Sequence, residues 1–175
     1  MTSVSSVVRR PDQATAARRA GRWPELGAVA AGGVVGSLAR FGLHEAVPSV
    51  AGQFPWATFA VNVTGCLLIG VLMVLLTEVW AGRRLLRPFL GVGVLGGFTT
   101  FSAYAVEIEQ AVSVGAARTA LLYLGGTLVA AMLAVGAGAG LTGAAVRTVR
   151  RRTAARRTAA PKQIAHRPDR RRGPR

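Results

Sequence analysis

The sequence predicts an all-α integral membrane protein of four transmembrane helices, the third of them broken. Three observations carry that expectation. Hydrophobic residues make up 51% of the 175 positions and the mean hydropathy is +0.38, yet the formal net charge is +15. The charge is confined: nearly all of it lies before Pro24, after Val146, or in the run Arg83, Arg84 and Arg87. The apolar middle divides into four stretches, each long enough for the roughly 20 residues that a bilayer requires.

Residues 1–24 are polar, rich in Ala and Arg and without a hydrophobic period, so a disordered basic N-terminal tail is expected. The four-helix domain is expected over residues 25–146. Its first span runs from Leu26 to His44. A loop with Glu45, Pro48, Gly52 and Pro55 follows. The second span runs from Pro55 to Val79, and proline suits a helix start because its missing N–H has no partner there. The arginine run 83–87 makes the next loop. The third span runs from Pro88 to Ile108 and the fourth from Ala117 to Val146, which exceeds one bilayer crossing. Residues 147–175 are expected to form a disordered Arg-rich C-terminal tail. A cleaved leader is not expected, because three further apolar spans follow the first and none directly follows Arg9-Arg10. The lone Cys66 says nothing about redox compartment, and two histidines are too few for a histidine-based metal or catalytic site.

Four spans put both ends on one side of the membrane. The N-terminal segment carries five Arg, the 83–87 loop three, and the C-terminal segment twelve Lys plus Arg. The opposite loops offer Glu45, Glu107, Glu109 and Arg118. The positive-inside rule therefore places both termini in the cytoplasm with a fixed orientation in the cell membrane. The pairs Gly32/Gly36 and Gly136/Gly140 have the small-xxx-small spacing that lets helix backbones approach, and are expected to serve bundle packing.

The chemistry concentrates in GGFTTFSAYAVE, 96–107. Two glycines and two threonines over Gly96–Thr100 are poor material for an uninterrupted helix, and Gly91 and Gly93 loosen the turns before them. Irregular backbone in a bilayer needs protein or a polar cavity around it. Two readings stand side by side: a break that aims carbonyls or N–H groups at an ion, and a kink repaired by hydroxyls. Phe101 and Tyr104 share a face, and their positive ring edges suit either an anion path or ordinary packing. Thr58, Asn62 and Gly65 fall on one face of the second span, so the Asn62 amide is either a fastener between helices or a pore-lining donor. Arg40 ends the first span, where an arginine is either functional or snorkels to the interface, and Glu107 is likewise expected to be interfacial. Ser102, Tyr123 and Thr127 add uncharged donors. With no acidic residue expected deep in a helix, the inventory favours a small anion over a cation.

These residues carry a resemblance. GGVVGSLARF (32–41), FPWATFAVNVTGCLLIG (54–70) and GGFTTFSAYAVE (96–107) resemble the signature stretches of the CrcB/Fluc fluoride channels, and the likeness runs from Leu26 to Val146. The resemblance implies an antiparallel dimer with two narrow fluoride pores. It implies a structural Na+ on the dimer axis, held by backbone carbonyls of Gly96 and Thr99. It assigns the fluoride path to Thr58, Asn62, Phe101, Ser102, Tyr104, Tyr123 and Thr127, and structural intramembrane charges to Arg40 and Glu107. Tyr104 stands where the family has a second phenylalanine, Ala103 where a threonine is usual, and Ala131 lacks a hydroxyl expected there. A chain so biased in charge does not insert both ways, so the expected partner is an oppositely oriented paralogue in a heterodimer.

A passive channel exporting fluoride and conferring fluoride resistance follows from that resemblance, with no enzyme chemistry. The alternative is a four-helix multidrug-type secondary transporter of a cationic substrate, which needs a membrane-embedded carboxylate in the first span; the ionisable residue there is Arg40. The Arg-rich tail lacks aromatic interleaving, so no nucleic-acid partner is expected, and membrane lipids are its expected neighbours.

Overall fold

Proline opens the first two helices. Pro24 occupies the first turn of α1 (Trp23–Ala46), and Pro55 caps α2 (Trp56–Glu78). The third span follows as a π-helical run, Arg87–Leu95, a short turn, Gly96–Phe98, and then α3 (Phe101–Ser113). The last helix, α4, spans Ala117–Ala159. The structure, a computed structural model, describes residues 22–159. Four helical segments in it are long and apolar enough to cross a membrane, and the chain is a multi-pass membrane protein.

The helices associate in two pairs. α1 lies against the π-helical run, and α2 against α4. A Cβ at Gly36 would collide with the Val94 carbonyl oxygen and the Phe98 amide nitrogen, and one at Gly32 with the Phe89 carbonyl. Lipid tails are as apolar as leucine, so helices in a bilayer associate through close backbone packing rather than by expelling water. The first expected pair, Gly32/Gly36, makes that contact. The second, Gly136/Gly140, does not: a Cβ at either would meet nothing within 4 Å. Gly138 and Gly70 make the α2–α4 approach instead, Gly138 against the Leu67 carbonyl and Gly70 against that of Val135. The spacing rule found the right helix but the wrong face of it.

Each connection has a local cause. Gly115, with φ of 76°, ends α3. The Ala116 N–H donates to the Ala111 carbonyl (2.8 Å) and the Gly115 N–H to that of Val112 (3.0 Å), a Schellman closure that turns α4 back beside α3. At the other end of the bundle Arg84 pairs with Glu25 (2.9 Å). Arg150 reaches both the Glu78 carboxylate and the Glu78 carbonyl, each at 2.7 Å, capping the end of α2.

That last contact corrects a boundary. The fourth span was expected to stop at Val146, with a tail lacking secondary structure from Arg147, but α4 continues to Ala159. No Gly or Pro stands between Gly143 and Pro161, and alanine and arginine are strong helix formers. The remaining expected tail segments, 1–21 and 160–175, lie outside the described residues.

The glycine contacts give a paired prediction. Gly36→Ala places a methyl group against α1's neighbour and should cost about 1–3 kcal/mol. Gly27→Ala meets nothing within 4 Å and should leave stability unchanged or raise it by up to about 1 kcal/mol. The thermal unfolding midpoint of the detergent-solubilised protein should fall for Gly36→Ala and stay level or rise for Gly27→Ala.

Candidate functional site

The irregular backbone sits at two residues. Thr99 (φ −74°, ψ 156°) and Thr100 (φ −145°, ψ 124°) are extended between helical neighbours. Gly96–Phe98, part of the stretch expected to break, is helical. Two extended residues inside an apolar span leave amide groups that must find partners. Asn62 of α2 supplies them: its Nδ2 donates to the Thr100 carbonyl, and its Oδ1 accepts from the Thr100 N–H, both at 2.9 Å. A carboxamide has the donor–acceptor arrangement of a peptide group, so it substitutes for the missing helical partners. Of the two sequence readings of Asn62, this is the fastener. One N–H of its amide remains for another acceptor.

The hydroxyl of Thr100 begins the next helix. Its Oγ1 accepts from the Ala103 N–H (3.2 Å), the N-cap arrangement for α3. The Thr99 hydroxyl turns the other way and donates to the Leu95 carbonyl (2.9 Å). These bonds have a consequence for the carbonyls. In an unbroken helix the Thr100 N–H would go to Gly96 and the Ala103 N–H to Thr99. Here both go elsewhere, so the Gly96 and Thr99 carbonyls lose their regular helical donors. Thr100 was not among the expected site residues. Its sequence signal was a threonine just after a helix-breaking stretch, a preferred N-cap.

On one side of the break lies a half-buried polar hub. Glu107 accepts hydrogen bonds on both carboxylate oxygens, from Thr58 Oγ1 (2.6 Å) and from the Tyr123 hydroxyl (2.7 Å). Thr58 and Tyr123 are almost fully buried. Glu107 is half-buried; it joins α2, α3 and α4 beside the loop between α1 and α2, where it lines a small hollow with Gly52 and Gln53. The Tyr104 hydroxyl, an addition relative to the family pattern, donates to the Leu124 carbonyl (2.8 Å). A chain of rings runs through the hub: Phe101 to Tyr104 at 5.9 Å between centroids, Tyr104 to Tyr123 at 5.1 Å, and Tyr123 to Phe54 at 5.3 Å edge-on. Phe54 was not anticipated as part of it. Thr127, one turn beyond Tyr123, has a buried hydroxyl oxygen without a partner among the described residues.

On the other side is an open groove of about 460 Å³ between α1 and α3, lined by Ser37, Arg40, His44, Thr100 and Ser102 among others. The Thr100 and Ser102 hydroxyls are 3.3 Å apart. The expected path residues therefore divide. Thr58, Tyr104, Tyr123 and Thr127 lie in the bundle, Ser102 and Arg40 face the groove, and Asn62 stands at the break between them. Phe101 projects outward, 79% exposed. Ser37 and His44 were missed because a lone polar residue in an apolar span gives no periodic signal.

The sequence matches known proteins. A family model described as CrcB-like protein, Camphor Resistance (CrcB), matches residues 27–139. A protein of Streptomyces avermitilis named fluoride-specific ion channel FluC 2 is 53% identical over 116 residues, 64% of this chain and 73% of that one. One of Nocardia farcinica, also named FluC 2, is 52% identical over 124 residues, 71% and 89% of the two chains. Another S. avermitilis protein, named FluC 3, is 43% identical over 113 residues, covering 65% and 55%.

Asn62→Ala should orphan the Thr100 N–H and carbonyl at about 1–3 kcal/mol each, and lower the unfolding midpoint more than Thr58→Val does. Thr58→Val leaves Glu107 with the Tyr123 donor. Combined with Tyr123→Phe it should cost more than the two single changes added together, because the carboxylate then loses both donors.

Proposed function

This chain belongs to the CrcB family, and on that premise we propose that it is a fluoride-selective channel, a passive path by which fluoride leaves the cytoplasm. The observation that carries the reading is the Thr99–Thr100 break held by Asn62, flanked by uncharged donors and ring edges. Fluoride is small and strongly hydrated. Its water must be replaced by closely spaced N–H, O–H and ring-edge groups, which bind it less tightly than a full cation would. Thr127 offers a buried hydroxyl lacking a partner in one subunit, Asn62 a spare N–H, and Phe101 a ring edge on the outer surface. No residue has to titrate, and the protein is not an enzyme. A negative interior drives the anion outward by about 2.3 kcal/mol per elementary charge per 100 mV.

The multidrug-type alternative needs a free carboxylate in the membrane. Glu107 is occupied by two donors, and in α1 Glu25 is paired with Arg84 at one end while Glu45 stands at the other. That supply suits an anion path and not proton exchange for a cation.

One subunit does not enclose a path, since Phe101 and the Arg40 groove face outward. We infer an antiparallel dimer in which a second subunit covers them. The Gly96 and Thr99 carbonyls suit a structural Na+ at its centre: they are hard, neutral oxygens freed from helical bonding, and the ion would supply fixed positive charge between the two breaks. The charge bias places both termini in the cytoplasm and makes the partner an oppositely inserted paralogue. Two of the relatives, FluC 2 and FluC 3, come from one organism, as a two-chain channel requires.

The test is fluoride efflux from KF-loaded liposomes, started by a K+ ionophore and read with a fluoride electrode, with chloride as control. Fast fluoride efflux without chloride loss is expected when this chain is reconstituted with its paralogue. Phe101→Ala should slow efflux by about tenfold, the equivalent of one lost ring-edge contact. No efflux with either chain or both would refute the channel reading. Reporter fusions showing this chain in both orientations in comparable amounts would refute the heterodimer while leaving the channel intact.

A further inference from the structure

At the end of the bundle where α2 gives way to the third span, a hollow of about 280 Å³ is lined by Arg83, Arg84 and Arg87 with Leu76, Trp80 and Ala81. Trp80 is also a wall of a second hollow, about 260 Å³ and almost wholly apolar, formed by Leu68, Val71 and Leu75 of α2 with Leu90 and Val94 of the third span. The two share that ring, so a basic cup opens onto an apolar groove running toward the middle of the membrane. From Leu68 to Leu75 the groove follows about 10 Å of helix.

The nearby carboxylates do not neutralise the cup. Glu25 is engaged by Arg84 and Glu78 by Arg150. Arg83 and Arg87 have no ion pair among the described residues. The continuation of α4 adds Arg147, Arg151 and Arg152 at the same end, since Arg150 between them reaches Glu78. Guanidinium groups at the level where an apolar span ends match a phosphate headgroup in charge and in hydrogen-bond geometry. A tryptophan between the polar and apolar parts is placed as such rings are at membrane interfaces.

We propose that this cup and groove bind one anionic phospholipid, its phosphate among Arg83, Arg84 and Arg87 and an acyl chain along the groove past Trp80. A free phosphate would leave the apolar groove unused. A parallel copy of the chain would bring arginines against arginines. A phospholipid with a net negative headgroup satisfies both parts at once.

Trp80 supplies the readout. A Trp23→Phe/Trp56→Phe background leaves it as the sole tryptophan, and lipids with brominated chains quench it on contact. In liposomes of neutral phosphatidylcholine, brominated phosphatidylglycerol should quench Trp80 at much lower mole fraction than brominated phosphatidylcholine. Arg83→Gln/Arg87→Gln should reduce that preference roughly 20-fold. If the double variant does not elute as one species, Arg87→Gln alone is read, with about a fivefold reduction expected. Equal quenching by the two lipids would overturn the site. So would displacement of phosphatidylglycerol by inorganic phosphate, which would assign the cup to a free anion. Absence of quenching by either lipid would show the groove covered by protein, a second copy included, and would also overturn it.

Discussion

The structure turns on one side chain standing in for a peptide group. Asn62 binds the N–H and the carbonyl of Thr100 at 2.9 Å each. Without it two backbone groups would sit unpaired in a span surrounded by hydrocarbon, where water does not reach them. The break is therefore a property of two helices. The Thr99–Thr100 stretch leaves the helical path, and α2 carries the amide that makes the departure tolerable. The Thr100 hydroxyl then caps the next helix, so one residue closes the break on both sides. Gly65, one turn from Asn62, completes the fit, because a Cβ there would strike the Thr99 side chain. The spacing Asn62–Gly65 and the pair Thr99–Thr100 form a single device distributed over two segments of sequence.

Around that device the bundle is held by close backbone approach, with a few large side chains such as Tyr123, Leu72 and Leu95 buried between the helices. Bulky residues such as Leu38, Phe41, Leu121 and Met132 face outward, as the hydrocarbon solvent permits. Where the backbones meet, glycine stands against carbonyl, at Gly32, Gly36, Gly70 and Gly138. Such packing leaves no slack, so polar groups within it are fixed in position. The Glu107 carboxylate illustrates this: two hydroxyl donors from two helices converge on it, each at 2.7 Å or less. Half-buried and held on both oxygens, it serves as a fastener between α2, α3 and α4.

Much of this was legible in the sequence, and what was not has physical reasons. The four spans follow from hydropathy and length, and the irregular stretch from its glycines and threonines. The position of the break was blurred because Gly96 and Gly97 tolerate helical and extended backbone alike; the neighbours choose, and they bent Thr99 and Thr100. Gly138 was hidden behind Gly136 and Gly140, since spacing alone does not say which face of a glycine-rich helix meets its neighbour. The length of α4 was missed because polarity was read as lack of structure. Arginine and alanine are good helix formers, and Arg150 anchors the continuation to Glu78. That Thr58 and Tyr123 converge on Glu107 was hidden, because the three lie on separate helices and no spacing connects them.

The division of polar groups into two sets bears on what a single chain can do. The buried set lies within the bundle, fixed by Glu107. The groove set, with Arg40 and Ser102, opens outward beside an exposed Phe101. An ion stripped of water needs donors on all sides, and neither set supplies them alone. A second subunit laid across the outward face would meet the break where the Gly96 and Thr99 carbonyls have lost their helical donors. The same face carries the ring that one subunit leaves uncovered. The irregular backbone that Asn62 makes tolerable is thus also the surface on which the proposed dimer would be built, and in that proposal the charge asymmetry of the chain would set which way up the partner lies.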